Sequence, residues 1–123
     1  MGDAAPKILI CEDEPSLREL VRAACGEEYR FEDTADGVEA LSAARQDPPD
    51  LIVLDLMLPQ KSGVEVLEEL RDDSELRDIP VVVITAWTET RERAIAAGAD
   101  RFLTKPFDPD ELKSTVDEFL ATA

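Results

Sequence analysis

At 123 residues the chain fits one domain and leaves no room for a second of ordinary size, and 44% apolar residues supply a real core. A formal net charge of -16 argues against direct nucleic-acid binding, because an acidic surface repels phosphates. No apolar run is long enough to span a bilayer, and residues 1–6 lack the basic start and apolar stretch of a secretory signal. Cys11 and Cys25 sit in apolar surroundings as small core residues, with no disulfide expected. The expectation is a soluble cytoplasmic chain without membrane contact.

In chain order, the first apolar run is Lys7–Cys11. A helical face follows in Leu17, Leu20, Val21 and Ala24, spaced i, i+3, i+4 and i+7. The second run, Arg30–Thr34, alternates around Phe31 and reads as an edge strand. Val38, Leu41 and Ala44 continue as a helix, and Leu51–Leu54 is the third run. Val64, Leu67 and Leu70 mark the next helical face, whose acidic residues Glu65, Glu68, Glu69, Asp72 and Asp73 read as solvated. Val81–Thr85 is the fourth run; with the first and third it is nearly all β-branched or Leu, as in parallel strands buried on both faces. Gly98, after Ile95, Ala96 and Ala97, reads as a helix stop, and the fifth run, Arg101–Thr104, rests on Phe102 and Leu103. The last helix is predicted to start with Asp108 as cap, Pro109 in the first turn and Glu111 at capping-box spacing, and to bury Leu112, Val116, Phe119 and Leu120.

Strand and helix therefore alternate five times. The predicted fold is α/β, a doubly wound five-stranded parallel sheet with five helices, forming one domain over residues 1–123. For five strands the expected order is 2-1-3-4-5, taken by analogy with known doubly wound folds. Ligands of such sheets bind outside the carboxyl ends of the strands, where the order reverses between the first and third.

Chemistry-bearing residues collect at that edge. The first strand ends in Glu12 and Asp13, the third in Asp55, the fourth in Thr85, and the fifth in Thr104 and Lys105. A single strand-end Asp is usually a cap or turn former, but carboxylates, a hydroxyl and an ammonium at matching ends of four strands are not explained by capping. Crowded carboxylates, all ionised near pH 7, call for a hard divalent cation, and oxygen donors suit Mg²⁺. With no His and no thiolate cluster, a zinc site is not expected. Asp55, between Leu54 and Leu56, is a deprotonated nucleophile presented from a rigid apolar base; attack on phosphorus would give an acyl phosphate. Lys105 would add positive charge at the phosphate oxygens, and the bond to Pro106 is a candidate cis peptide.

These residues resemble the receiver domains of bacterial two-component response regulators. The resemblance covers essentially the whole chain. It rests on Ile8-Leu-Ile-Cys-Glu-Asp-Glu14, on Pro49-Asp-Leu-Ile-Val-Leu-Asp-Leu-Met-Leu-Pro59 followed by Gly63, on Val82-Val-Ile-Thr-Ala86, and on Gly98-Ala-Asp-Arg-Phe-Leu-Thr-Lys-Pro-Phe107. It implies a flavodoxin-like fold and a Mg²⁺ site formed by Glu12, Asp13, Asp55 and the backbone carbonyl of Met57. It also implies Asp55 as phosphoacceptor, Lys105 as phosphate-binding lysine, Thr85 as switch hydroxyl and Phe102 as switch aromatic. Gly63 would permit the turn into the third helix. Phe102 lacks the hydroxyl of a Tyr, which would loosen control of its rotamers. Two roles stay open for Trp87, shielding the acyl phosphate from water or packing on the surface.

The implied function is phosphotransfer to Asp55 from a sensor histidine kinase, a histidine phosphotransfer protein or a small phosphodonor. The surface of the fourth helix, fifth strand and fifth helix would then change and act on a downstream effector or a fused output domain, with a phosphorylation-dependent homodimer among the implied states. The chain would catalyse only its own phosphotransfer and dephosphorylation. One charge-assisted hydrogen bond contributes about 1.5–3 kcal/mol, whereas a near-complete population switch needs about 5.5 kcal/mol, so Thr85 alone would not suffice. Rival readings are weaker. An aspartate-nucleophile phosphatase of the haloacid-dehalogenase type would want an Asp where Met57 stands. An FMN carrier would want a hydroxyl- and glycine-rich loop in place of Glu12, Asp13 and Glu14. A pseudo-receiver that binds partners without phosphorylation usually lacks the phosphoacceptor or the lysine, and Asp55 and Lys105 are both present.

Overall fold

Strand and helix alternate from β1 (Lys7–Cys11), α1 (Pro15–Cys25) and β2 (Arg30–Thr34) through α2 (Gly37–Gln46), β3 (Leu51–Leu54) and α3 (Gly63–Asp72). They continue with β4 (Val81–Thr85), a 3-10 turn (Thr88–Thr90), α4 (Arg91–Ala97), β5 (Arg101–Thr104) and α5 (Pro109–Leu120). The structure is a computed structural model that describes residues 5–120; residues 1–4, within the segment read above for a secretory signal, and residues 121–123 lie outside the described part. All pairings are parallel, in the order β2-β1-β3-β4-β5, with β2 at an edge as its alternation predicts. No helix among the described residues is long and apolar enough to cross a membrane.

The two-residue period of the strands divides the core in two. Ile8, Ile10, Leu51, Val53, Val82, Ile84 and Leu103 face α1 and α5, where they meet Val21, Cys25, Leu112 and Val116. Leu9, Cys11, Ile52, Leu54, Val81, Val83 and Phe102 face α2, α3 and α4, where they meet Leu41, Ala44, Val64, Leu67, Leu70 and Ala94. β1, β3 and β4 are buried on both faces, which is why their sequences are unbroken apolar runs. Cys11 and Cys25 are free and buried in different clusters, one on each face of the sheet.

The helices depart from the predicted faces at two residues. Leu20 is exposed, because the buried line of α1 runs through Val21 and Cys25 and puts Leu20 at its margin. Val38 is exposed, because α2 buries Gly37, Ala40, Leu41 and Ala44, a spacing that turns Val38 outward.

The helix ends follow capping chemistry, with one relocation. Gly98 ends α4 at φ 114, a left-handed conformation that only glycine adopts without strain. Asp108 caps α5 by accepting from the Asp110 N–H at 2.9 Å. The reciprocal capping box occurs at α3: the Ser62 hydroxyl accepts from the Glu65 N–H at 3.2 Å, and the Glu65 carboxylate accepts from the Ser62 N–H at 3.0 Å. Arg71, at the end of α3, donates to the Gly98 carbonyl at 2.6 Å and 3.1 Å and to the carbonyls of Arg77 and Ile79. Its pair with Asp100, 2.9 Å away, completes a clamp holding the C-terminal end of α4 against α3.

Candidate functional site

Parallel register brings the ends of β1 and β3 side by side, with Cys11 opposite Leu54 and the Asp55 N–H donating to the Cys11 carbonyl at 3.0 Å. Glu12 and Asp55 therefore leave the sheet together, and both are buried. Glu12, Asp13 and Asp55 each offer a carboxylate oxygen within 4.8 Å of the others. Lys105 enters from the end of β5, next to β4, where its N–H donates to the Thr85 carbonyl at 3.0 Å. Its Nζ bridges the two buried acids, 2.7 Å from Asp55 Oδ2 and 2.8 Å from Glu12 Oε1. The Lys105–Pro106 peptide is cis.

The remaining lone pairs are partly satisfied by the turns. Asp55 Oδ1 accepts from the Met57 N–H at 3.1 Å, and Glu12 Oε2 from the Glu14 N–H at 3.1 Å. Burial pushes the Glu12 carboxyl above its ordinary pKa, although the hydrogen bond from Lys105 opposes the shift. For Lys105, burial pulls the pKa down, and the bonds to Asp55 and Glu12 with their charges outweigh it, leaving the ammonium raised. Three carboxylates thus face one ammonium, with two negative charges uncompensated. The donors are all hard oxygens and Asp13 opens to solvent, so the residues fit a small divalent cation such as Mg²⁺.

Gly63 does something other than permit a turn. Its φ is not in the left-handed region; rather, a Cβ there would lie 2.5 Å from the Asp55 carbonyl oxygen and 2.5 Å from Leu56 Cα. The start of α3 packs directly on the peptide that carries Asp55, and its N–H donates to the Leu56 carbonyl at 2.9 Å. Any larger residue would push α3 or Asp55 out of place.

Thr85 is fully buried at the end of β4, and its hydroxyl oxygen accepts from the Trp87 N–H at 3.2 Å. The Trp87 carbonyl accepts from the Thr90 hydroxyl at 2.6 Å, immediately before α4. The Trp87 ring is exposed, while its backbone links Thr85 to α4. Phe102 is not at the carboxylates: it lies inward against the α2–α4 cluster, with the Arg91 guanidinium 5.7 Å from its ring centroid. Met57 follows Asp55 with its side chain exposed. Structure thus gathers Glu12, Asp13, Asp55 and Lys105 into one cluster, with Thr85 at the end of the neighbouring strand and Phe102 turned into the core. Sequence reasoning missed Arg18, whose guanidinium donates to the Glu12 carbonyl at 2.7 Å, and Arg91 over Phe102. A lone Arg on a helix carries no signal of what it will reach.

Residues 8–117 match the family described as the response regulator receiver domain. The chain belongs to that family. As a receiver it is 41% identical over 119 residues to the DNA-binding response regulator MtrA of Mycolicibacterium smegmatis, covering 94% of this chain and 51% of the relative. It is 37% identical over 118 residues to the response regulator Rre1 of a Synechocystis strain, covering 93% and 51%. The receiver spans about half the length of the curated relatives it matches. Among solved structures, the phosphorylated cyanobacterial phytochrome response regulator RcpA superposes with a TM-score of 0.86 at 30% identity, covering 98% of this chain and 97% of that one. The receiver domain of sensor histidine kinase PA1611 from Pseudomonas aeruginosa, which has a magnesium ion coordinated in its active-site cleft, gives 0.83 at 29% identity, covering 97% and 100%. This is a signalling domain of the two-component type.

Proposed function

We propose that the chain, as one receiver unit over residues 1–123, accepts a phosphoryl group on Asp55 and relays that event through Thr85 to the surface of α4, β5 and α5. The observation that carries this reading is the buried Asp55 carboxylate, 2.7 Å from Lys105 and within reach of two further carboxylates. Burying a carboxylate is costly unless it is paired, and here a single lysine serves two buried acids at the carboxyl edge of the sheet.

The donor is a phosphohistidine of a sensor histidine kinase or a histidine phosphotransfer protein, or a small acyl phosphate. An Asp55 carboxylate oxygen attacks phosphorus and a new O–P bond forms; from phosphohistidine the N–P bond breaks and the departing imidazole takes a proton from solvent, and from an acyl phosphate the bridging O–P bond breaks and a carboxylate leaves. Glu12, Asp13, Asp55 and the Met57 carbonyl would hold Mg²⁺, which supplies charge neutralisation at the transferring group. Lys105 exchanges one carboxylate partner for a phosphoryl oxygen and stabilises the charge developing there. Gly63 and Leu56 keep Asp55 fixed while this happens.

Phosphorylation adds about -1.5 to -2 charge at the edge of the sheet. The Thr85 oxygen accepts from Trp87, so its proton is available to donate to a phosphoryl oxygen. Moving that hydroxyl pulls on the Trp87 N–H, then through the Trp87 carbonyl on Thr90 and the start of α4. The Arg71 clamp holds the other end of α4, so the displacement concentrates at its N-terminal turn and at Phe102 beneath Arg91. The altered surface acts on a downstream effector, a fused output domain or a second copy of the chain. The relative MtrA is a DNA-binding response regulator, yet the charge of -16 here leaves DNA contact to a separate output unit. The working location is the cytoplasm.

The test is labelling with acetyl phosphate and Mg²⁺. One phosphoryl group should be gained, it should be labile to hydroxylamine, and Asp55→Asn should abolish it. Equal labelling of the substituted protein would overturn the assignment.

A further inference from the structure

We infer that Arg18 is the positioning residue of the acidic pair, orienting the peptide plane that joins Glu12 to Asp13 and so setting the affinity of the cluster for a divalent cation. The inference rests on the cation reading given above. Glu12 is tied at each of its polar groups: its N–H donates to the Thr34 carbonyl at 3.1 Å, Lys105 and Glu14 hold its carboxylate, and Arg18 Nη1 holds its carbonyl at 2.7 Å. That carbonyl belongs to the rigid peptide unit whose other half is the Asp13 N–H and Cα, so its direction fixes where the Asp13 Cα lies and the axis about which Asp13 turns. Asp13 itself is exposed.

Arg18 is itself anchored. Its Nε lies 3.4 Å from Asp33 Oδ2 on the edge strand, its side chain is largely buried, and its backbone N–H closes the first turn of α1 on the Glu14 carbonyl at 3.1 Å. The planar fork presents its N–H groups at fixed directions, so it holds the Glu12 carbonyl and the Asp33 carboxylate in a set relative geometry that a rotating ammonium would hold less firmly. Arg22 shares Asp33, at 2.7 Å, and makes no bond to Glu12. It is therefore an internal control: the same helix, the same carboxylate partner and the same charge, without the contact.

Position and charge predict opposite outcomes. Removing a cation near the cluster, with nothing else changed, would tighten Mg²⁺ binding. Losing the orientation of the acidic pair would weaken it, and outer-shell partners of metal ligands typically matter by about 10–100-fold in affinity. Because Arg18 holds the backbone of a ligand residue and not a ligand atom, the low end, about 10-fold, is expected.

The experiment is a Mg²⁺ titration of the unphosphorylated chain, followed by calorimetry and by the amide shifts of Asp13 and Met57. Arg18→Ala should bind about 10-fold more weakly, Arg18→Lys should recover part of the loss, and Arg22→Ala should bind as tightly as the unsubstituted protein or more tightly. Should Arg18→Ala fail to fold, Arg18→Lys against Arg22→Ala carries the same comparison. Unchanged or tighter binding in the Arg18 variants would overturn the inference while leaving the cation site standing. Absence of Mg²⁺ binding in the unsubstituted protein would overturn the cation reading itself, and this inference with it.

Discussion

Two lysines at opposite ends of the sheet make nearly the same contacts to different ends. Lys7, at the start of β1, has Glu32 at 2.7 Å and Asp47 at 2.9 Å, and Lys105, after β5, has Asp55 at 2.7 Å and Glu12 at 2.8 Å. Both ammoniums are raised by their acids against a burial penalty. Their partners differ. The side chains of Glu32 and Asp47 are 41% and 73% exposed, so water can take over if the lysine goes. Those of Glu12 and Asp55 are 8% and 6% exposed, and Asp13 adds a third negative charge with no further cation to match it. Pairing alone therefore does not mark a site. Surplus negative charge around buried carboxylates separates the candidate site from the structural end.

The largest expected contrast between the two ends is kinetic. Lys105→Met should slow phosphoryl uptake at Asp55 by about 100-fold or more, the scale of losing one positioned electrostatic stabiliser. Lys7→Met should leave the rate with acetyl phosphate unchanged. Comparable slowing in both would mean that the lysines differ only in location.

Stability should separate them next. Without Mg²⁺, Lys105→Met leaves Glu12 and Asp55 buried without a cation, a change that usually costs about 3–5 kcal/mol. Here about 2 kcal/mol is expected, because Glu12, already raised by burial, can take up a proton. Saturating Mg²⁺ should restore the melting temperature of Lys105→Met, whereas Lys7→Met should lose about 1 kcal/mol or less and show no extra rescue. Denaturant titration with and without Mg²⁺ reads both.

The path from site to surface gives a third contrast. Thr85→Ala should still accept phosphate on Asp55, since neither nucleophile nor acidic cluster is touched, but its surface should respond weakly. Amide shifts near Ile95, Phe102 and Leu112, with and without beryllofluoride, measure the response. Equal shifts in Thr85→Ala and the unsubstituted protein would place the coupling outside the Thr85–Trp87–Thr90 chain.

The smallest effect concerns the two halves of the core. Burial pushes the thiols of Cys11 and Cys25 up to about 12 from 9.0. An unfolded thiol gives up its proton above pH 9 while the folded one keeps it, so this stability is intact below that pH and is lost as pH rises toward 12. Cys11→Ala should flatten the stability profile over that alkaline window, whatever it costs in packing, and an unchanged slope would contradict the assignment.

How legible was all this in the sequence? β1, β3 and β4 were readable because strands buried on both faces confine polar residues such as Lys7 and Thr85 to their ends, and β2 because an edge strand alternates. Glu12, Asp13, Asp55 and Lys105 were readable because parallel strands deliver their ends to one side, whatever the details of packing. The box formed by Ser62 and Glu65 also has a local signature, a hydroxyl three residues before an acid ahead of an apolar face, so it was available to be read. Other features had no local cause. Gln60 takes a positive φ of 70 where neither Gly nor Asn announces it. Gly63 looks like a turn former until α3 is seen against the Asp55 peptide. Arg18, Arg71 and Arg91 are ordinary helix residues whose reach is decided only when the elements pack.

The phosphoryl group can be located chemically. The chain is phosphorylated with acetyl phosphate and Mg²⁺, reduced with borohydride, digested and sequenced by mass spectrometry, so that an aspartyl phosphate is read as homoserine. Homoserine is expected at Asp55 and nowhere else, formed quickly in Lys7→Met and poorly in Lys105→Met. Homoserine at Asp13 or at another acid, or its equal formation in the two lysine variants, would contradict that expectation.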